Sequence, residues 1–280
     1  MSDVPGGPTP PPPPPPPMMG GPQGGIPPKA LGEILTAAFN IYKANASKLL
    51  LIVALVVVPL SFVSALFSGV VFAGTKHTLL TGQQITDRSF GLFVAAALVT
   101  AVISVIISAA LQAAILRAAV RATIGDPVDP EESYRYGFKR LGSVILVSVL
   151  VGLAVAGGLI LLIIPGIIFL VLFSVSVPVL IVEDRRGRAA MSRSWHLAKG
   201  HFWHAFGVII VAAIITGLVG GAIGAIGGSA WFARWIFTAI AQIVTAPFSA
   251  LVSVLLYLDL RARSETLSAG TLRAELAADA

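Results

Sequence analysis

The chain has 280 residues, of which 56% are hydrophobic and only 11% charged, whereas a soluble domain carries about 25% charged residues. So few polar groups cannot cover a globule in water, and lipid is the expected solvent. The absence of cysteine excludes disulfides, zinc–thiolate sites and iron–sulfur clusters, and the formal charge of +6 lies beside apolar runs rather than on a polar domain, which fits membrane topology and speaks against nucleic acid.

Residues 1–28 hold 13 of the 19 prolines, with Pro10 to Pro17 unbroken. Proline fixes φ and removes the amide donor, so this head is expected to be a disordered cytoplasmic tail with a polyproline II stretch. It reads either as a solvated spacer or as a ligand for an aromatic-lined groove on a protein partner. It has no basic n-region followed by an apolar h-region, so no secretory signal peptide is expected, and the first apolar run is read as a retained signal anchor.

Six apolar runs follow within a membrane domain placed at residues 29–265. They span 49–71, 92–116, 143–163, 166–182, 206–230 and 236–258, each near the 17–25 residues that cross a bilayer. Pro59 and Pro247 are expected kinks in the first and sixth. The long stretch from Ser143 to Val182 suits two helices, divided at Pro165-Gly166, where proline fits a first helical turn and pushes Ile164 out of the α region. Residues 266–280 are read as a cytoplasmic tail.

Basic residues set the orientation. The N-terminal flank, the 2–3 and 4–5 loops and the C-terminal tail carry 16 of them, and the opposite side only Lys76, Arg88 and Arg234. Bases stay on the cytoplasmic side, so both termini are expected inside. Trp203 and Trp231 bracket the fifth run, 28 residues and about 42 Å apart, which matches a bilayer with its interfaces. Trp195, Trp203, Trp231 and Trp235 are therefore the expected interfacial anchors.

A pattern recurs three times. Leu31–Lys48, Glu132–Arg140 and Arg188–His204 each combine aromatics with bases just before a pair of apolar runs. The expected architecture is all-α: a six-helix transmembrane bundle of three hairpins, each preceded by a short amphipathic helix lying on anionic inner-leaflet lipid.

Few residues carry chemistry. No nucleophile–base pair, phosphate loop, HExxH or paired carboxylates occur, so no catalytic residue, cofactor or metal is expected. His196, His201 and His204 lie among aromatics and read as interfacial rather than as metal ligands. Glu183 and Asp184 read as solvated loop charge. Gln112 and Gln242, the most polar residues deep in the runs, read as hydrogen-bonding groups between helices. Gly217, Gly220, Gly221, Gly224 and Gly228 carry GxxxG spacing, a face for close helix packing within the chain or against a second copy in a homo-oligomer. Near the sixth run, Asp259 and Arg263 stand at i,i+4 and suit a structural latch, with Arg117 or Arg121 as alternative partners for the carboxylate.

The residues Ile164-Pro165-Gly166-Ile167, Val177-Pro178-Val179, Glu183, Ser194-Trp195-His196-Leu197, Gly200, His201-Phe202-Trp203 and the closing string from Tyr257 to Glu265 resemble the membrane domain associated with bacterial glycerophosphoryl diester phosphodiesterases. Residues 30–265 are similar to its free-standing six-span form. In the fused enzymes catalysis belongs to a separate soluble barrel, for which these 280 residues leave no room. The resemblance therefore implies architecture and a bacterial cytoplasmic membrane, and carries no catalytic residue across. The expected role is organisation of partners or lipids at the inner leaflet. Transport or export along a pathway between the hairpins is the alternative.

Overall fold

The computed structural model describes residues 27–81, 87–228, 231–265 and 267–278, excepting the side chains of residues 63–101, 231, 269 and 276–278. The proline-rich head up to residue 26 lies outside the described residues. Among those described the chain is wholly helical: α1 (Leu31–Thr81), α2 (Asp87–Ile124), α3 (Pro130–Leu161), α4 (Ile163–Leu172), α5 (Ser176–Glu183), α6 (Arg188–Lys199), α7 (Phe202–Ile226), α8 (Trp231–Ser264) and α9 (Ala269–Ala278). Six stretches are long and apolar enough to cross a membrane: Leu31–Phe62, Val102–Ile124, Pro130–Leu161, Ile163–Glu183, Phe202–Ile226 and Phe232–Ser264. This is a multi-pass membrane bundle.

The breaks lie where local chemistry competes with the helix. α1 runs through Pro59 and breaks instead at Asn45 (φ −119°, ψ 16°). There the side-chain amide of Asn45 donates to the Ile41 carbonyl at 3.2 Å, an alternative to helical bonding that short polar side chains offer. α8 likewise continues through Pro247. α3 starts cleanly, because the Asp129 carboxylate accepts from the Glu131 amide, Pro130 occupies the first turn, and Glu131 and Glu132 face the helix dipole.

The division between the third and fourth spans falls at Leu162 (φ −163°, ψ 150°), three residues before the expected Pro165. Proline is tolerated in a first turn, where its missing N–H has no partner to lose, so α4 begins before it and Ile164 is helical. The hairpin is tight. A Cβ on Gly158 would lie 2.9 Å from Gly166 Cα, and one on Gly166 would lie 2.8 Å from the Leu159 nitrogen. The fourth span is also longer than expected and is split into α4 and α5 by a turn at 173–175.

The amphipathic segments follow three different courses. The first, residues 31–44, packs along α8: the Lys29 amide meets Asp259 and the Tyr42 hydroxyl reaches the Val244 carbonyl at 3.2 Å. The second is the unbroken start of α3. The third, α6, is a separate helix, set off from α7 at Gly200 and His201, and the first is set off from the rest of α1 by the break at Asn45. The pairs α1 and α2, α3 and α4, and α7 and α8 are each in contact, and α2 also lies along α3 and α1 along α8.

α8 is the hub and touches α1, α2, α5, α6 and α7. Its Leu251, Leu255, Leu256 and Leu260 are buried, as are Val179, Leu180, Ile181 and Val182 of α5. α2 supplies a run of buried alanines from Ala109 to Ala122. Small residues let neighbouring backbones approach. At Gly137 of α3 an added Cβ would lie 2.7 Å from the Ala110 carbonyl oxygen. The region read as a C-terminal tail instead forms α9, docked through buried Leu267 and Leu272.

Candidate functional site: an ion-paired clasp at one end of the bundle

Helix ends leave carbonyls and charges that need partners, and at one end of this bundle they converge. Asp259 stands in the last turns of α8 with its carboxylate 1% exposed. Its Oδ1 accepts from the Lys29 amide at 2.6 Å and its Oδ2 from Arg263 Nε at 2.8 Å. Arg263 Nη2 then donates to the Lys29 carbonyl at 2.7 Å, so one i,i+4 pair grips the entry of α1 by both of its backbone groups. His204 Nε2 of α7 lies 2.9 Å from Oδ2 but off the hydrogen-bond axis.

A second cluster surrounds Glu183, at the end of α5. Its carboxylate is 7% exposed, which corrects the reading of solvated loop charge. It accepts from the Tyr257 hydroxyl at 2.9 Å and from Arg193 Nε at 2.9 Å, and it is ion-paired with Arg185, whose Nε lies 2.9 Å away. Arg261 donates Nη1 to the Tyr257 oxygen at 3.0 Å and forms a bidentate pair with Glu275 of α9 at 2.7 and 2.6 Å. Glu265 closes the ring between Arg261 Nε at 3.2 Å and Arg193 Nη2 at 2.5 Å. Charge-assisted, bidentate bonds of this kind are the stronger hydrogen bonds in proteins.

Two titratable groups of this ring outside the spans are shifted. Burial alone would raise the Glu265 carboxyl, but hydrogen bonds from Arg193 and Arg261 hold it below its ordinary value. Burial would likewise lower Arg193, while its bonds to Glu265 and Glu183 push it up.

Further pairs tie in the remaining elements. Arg140 of α3 pairs with Asp184, which Arg186 also reaches at 3.2 Å. Arg121 pairs with Glu132 at 2.5 Å. The Arg117 guanidinium lies 4.5 Å from the Tyr136 ring centroid, and the Tyr136 hydroxyl donates to the Ile181 carbonyl at 3.0 Å. Arg273 of α9 reaches the Ile124 carbonyl at 3.2 Å. Arg121 thus engages a carboxylate other than Asp259.

The tryptophans divide. Trp203 is 79% exposed. Trp195 packs inward on Phe169 and Phe173, with ring centroids 6.4 and 5.8 Å away. Trp235 donates to Ser61 Oγ at 3.0 Å and joins α1 to α8. Both are partly buried and pack on neighbouring elements, and the Trp231 side chain lies outside the described residues.

The glycine face of α7 also departs from close packing within the chain. Among the described residues, added Cβ atoms at Gly217, Gly221, Gly224 and Gly228 would meet nothing within 4 Å, and at Gly220 only Thr245 at 3.7 Å.

Sequence reasoning missed Arg193, Glu275 and the central role of Glu183. The available signals were a carboxylate at the end of an apolar run and Arg261 one turn after Tyr257. Among the described residues, no three His, Asp or Glu side chains gather as a metal site. No family model, curated protein or solved structure matches the chain.

Proposed function

We propose that this is a non-enzymatic protein of the bacterial cytoplasmic membrane, both termini inside, that organises anionic lipids at the inner leaflet. In this reading it is a free-standing relative of the membrane domain associated with glycerophosphoryl diester phosphodiesterases. The observation that carries the proposal is a basic, aromatic surface around the clasp. α6 buries Ala190, Ser194, Leu197 and Ala198 and exposes Arg188, Ser192, His196 and Lys199. The exposed Trp203 follows, and on α3 the exposed Arg135 and Lys139 flank Phe138, itself 65% exposed. The Arg140–Asp184 pair holds these two surfaces together. Aromatic rings settle at the headgroup level, and each base near an anionic surface contributes about 1 kcal/mol.

The test is lipid composition around the purified protein in nanodiscs of mixed phosphatidylglycerol and phosphatidylcholine, read by native mass spectrometry. Enrichment of phosphatidylglycerol is expected, as is its loss in the combined variant Arg135→Gln, Lys139→Gln, Arg188→Gln and Lys199→Gln. Equal retention of both lipids by the unaltered protein would overturn the proposal. The proline-rich head adds a site for a protein partner, tested by whether deleting residues 1–28 changes what co-purifies. The second reading is transport or export, and it is favoured by a hydroxyl-lined, open cavity between the helices.

A further inference from the structure

That cavity measures about 870 Å³ and lies between α2, α3, the α4–α5 turn and α8. Its polar groups come from helical stripes. Ser104, Ser108 and Gln112 follow at intervals of four on α2, Ser249 and Ser253 do so on α8, and Ser148 faces them from α3. Ser174 adds a hydroxyl from the turn. Successive residues at i,i+4 share a helix face, so the stripes present one hydroxylated surface to a common space. The rest of the described wall is aliphatic, and among the described residues none that line it is Asp, Glu, Lys, Arg or His.

Three physical arguments narrow the occupant. An ion in this space would lose its hydration without a countercharge, which makes charged ligands unfavourable. A plain alkyl chain would leave the hydroxyls and the amide facing hydrocarbon. Ser148 donates to Gln112 Oε1 at 3.3 Å, Ser174 to the Val171 carbonyl at 2.8 Å, and Ser249 to the Thr245 carbonyl at 3.2 Å. Each of these hydroxyls retains a lone pair for a donor, and the Gln112 amide nitrogen keeps its protons for an acceptor. A small polar solute would leave most of the volume and the aliphatic wall unfilled; ligand pockets of about 300–1,000 Å³ hold drug-sized molecules. The rim residues Val105 and Val149 are 50% and 47% exposed. Ser108 and Gln112 of α2 and Ser249 of α8 are exposed as well, so the space is an open cleft facing the surroundings of the bundle, beside the exposed Ile106, Leu146 and Leu153.

We infer that this cavity binds an uncharged amphiphile with a hydroxylated headgroup, of the monoacylglycerol class, which enters from the bilayer through the open cleft. The hydroxyls meet the serine stripes and Gln112, and the chain lies along the aliphatic wall toward the bilayer. The site is separate from the basic surface, so the two readings stand or fall apart.

The test uses full-length protein in nanodiscs and a monoacylglycerol carrying a photoreactive diazirine. Adducts are expected on peptides of α2, α3 and α8. Unlabelled monooleoylglycerol should compete at least about tenfold better than oleate or oleylamine, which share its chain and differ in charge. Gln112→Leu and Ser108→Val should each lower labelling about tenfold, the worth of one hydrogen bond of about 1.4 kcal/mol. The quadruple lysine and arginine variant should label normally. Adducts spread over the outer face of α7, or equal competition by oleate, would overturn the inference. Both readouts come from the unaltered protein, so a variant that fails to fold does not weaken the test.

Discussion

α7 and α8 lie side by side, joined by a short connection, and both are apolar enough to span a bilayer. Half of the apolar window of α8 is buried, against 11% for α7. The difference lies in what each helix carries at its end and along its sides. α8 ends in Tyr257, Asp259, Arg261 and Arg263, each of which finds a partner on another element. α7 brings only His204 to that end, at the margin of the Asp259 cluster, and glycines to its outer face. Lipid tails are as apolar as leucine, so hydropathy brings a helix into the membrane without choosing its neighbours. Polar groups and residue size make that choice, and they make α8 the hub.

The sharpest way to break this contrast is to remove one charge from α8. Asp259→Asn keeps the shape but leaves Arg263 and His204 facing an amide. Breaking a buried ion pair from one side costs about 3–5 kcal/mol. A marked fall in the melting temperature in detergent is expected, together with lower expression. Unchanged stability would mean that the Asp259–Arg263 latch does not hold α1 to α8.

A smaller loss is expected where α2 meets α3. In Gly137→Ala the new methyl would sit 2.7 Å from the Ala110 carbonyl oxygen, a backbone atom that cannot swing aside. Overpacking of this kind costs about 1–3 kcal/mol. Thermal unfolding of the variant beside Gly142→Ala, where nothing lies within 4 Å, isolates the contact from the change in helix propensity.

Acid should loosen the end of α8 from α6 more gently. The Glu265 carboxyl is held below its reference value of 4.5 by Arg193 and Arg261. A depressed acid contributes stability that is present above its unfolded value and is lost as pH falls through its folded value. Melting temperature should therefore decline below about pH 4.5, and Glu265→Gln should flatten that decline. An unaltered slope in the variant would remove Glu265 from the clasp.

How much of this was legible depends on the kind of signal. The six apolar stretches stand out because a run of apolar residues is local. The Asp259–Arg263 pair was legible for the same reason, being one helical turn apart. The role of Glu183 was not, because its burial depends on Arg193, Tyr257 and Arg261 arriving from two other helices, which no spacing encodes. The break at Asn45 was hidden behind the louder signal of Pro59, although a side-chain amide able to bond Ile41 was written there. The serine stripes repeat every four residues and were readable as faces. Their convergence on one cavity required the packing of three helices.

The smallest effect is expected on the glycine face, and it tests the other half of the comparison. Internal packing against α8 would make Gly217→Ala and Gly221→Ala destabilising, because each methyl would push two backbones apart. Among the described residues, both positions are instead open. Exposed substitutions with no contact to lose usually change stability by less than about 0.5 kcal/mol, and alanine favours the helix over glycine. Unchanged or slightly raised melting temperatures are therefore expected for both variants in dilute detergent. A drop in both would show that α7 is clamped to α8 as tightly as α1 is. If a second copy covers this face in the membrane, the cysteine-free chain makes the contact easy to read. Gly217→Cys would then form a disulfide between copies in native membranes, and Phe39→Cys, exposed beside the neighbouring groove, would not.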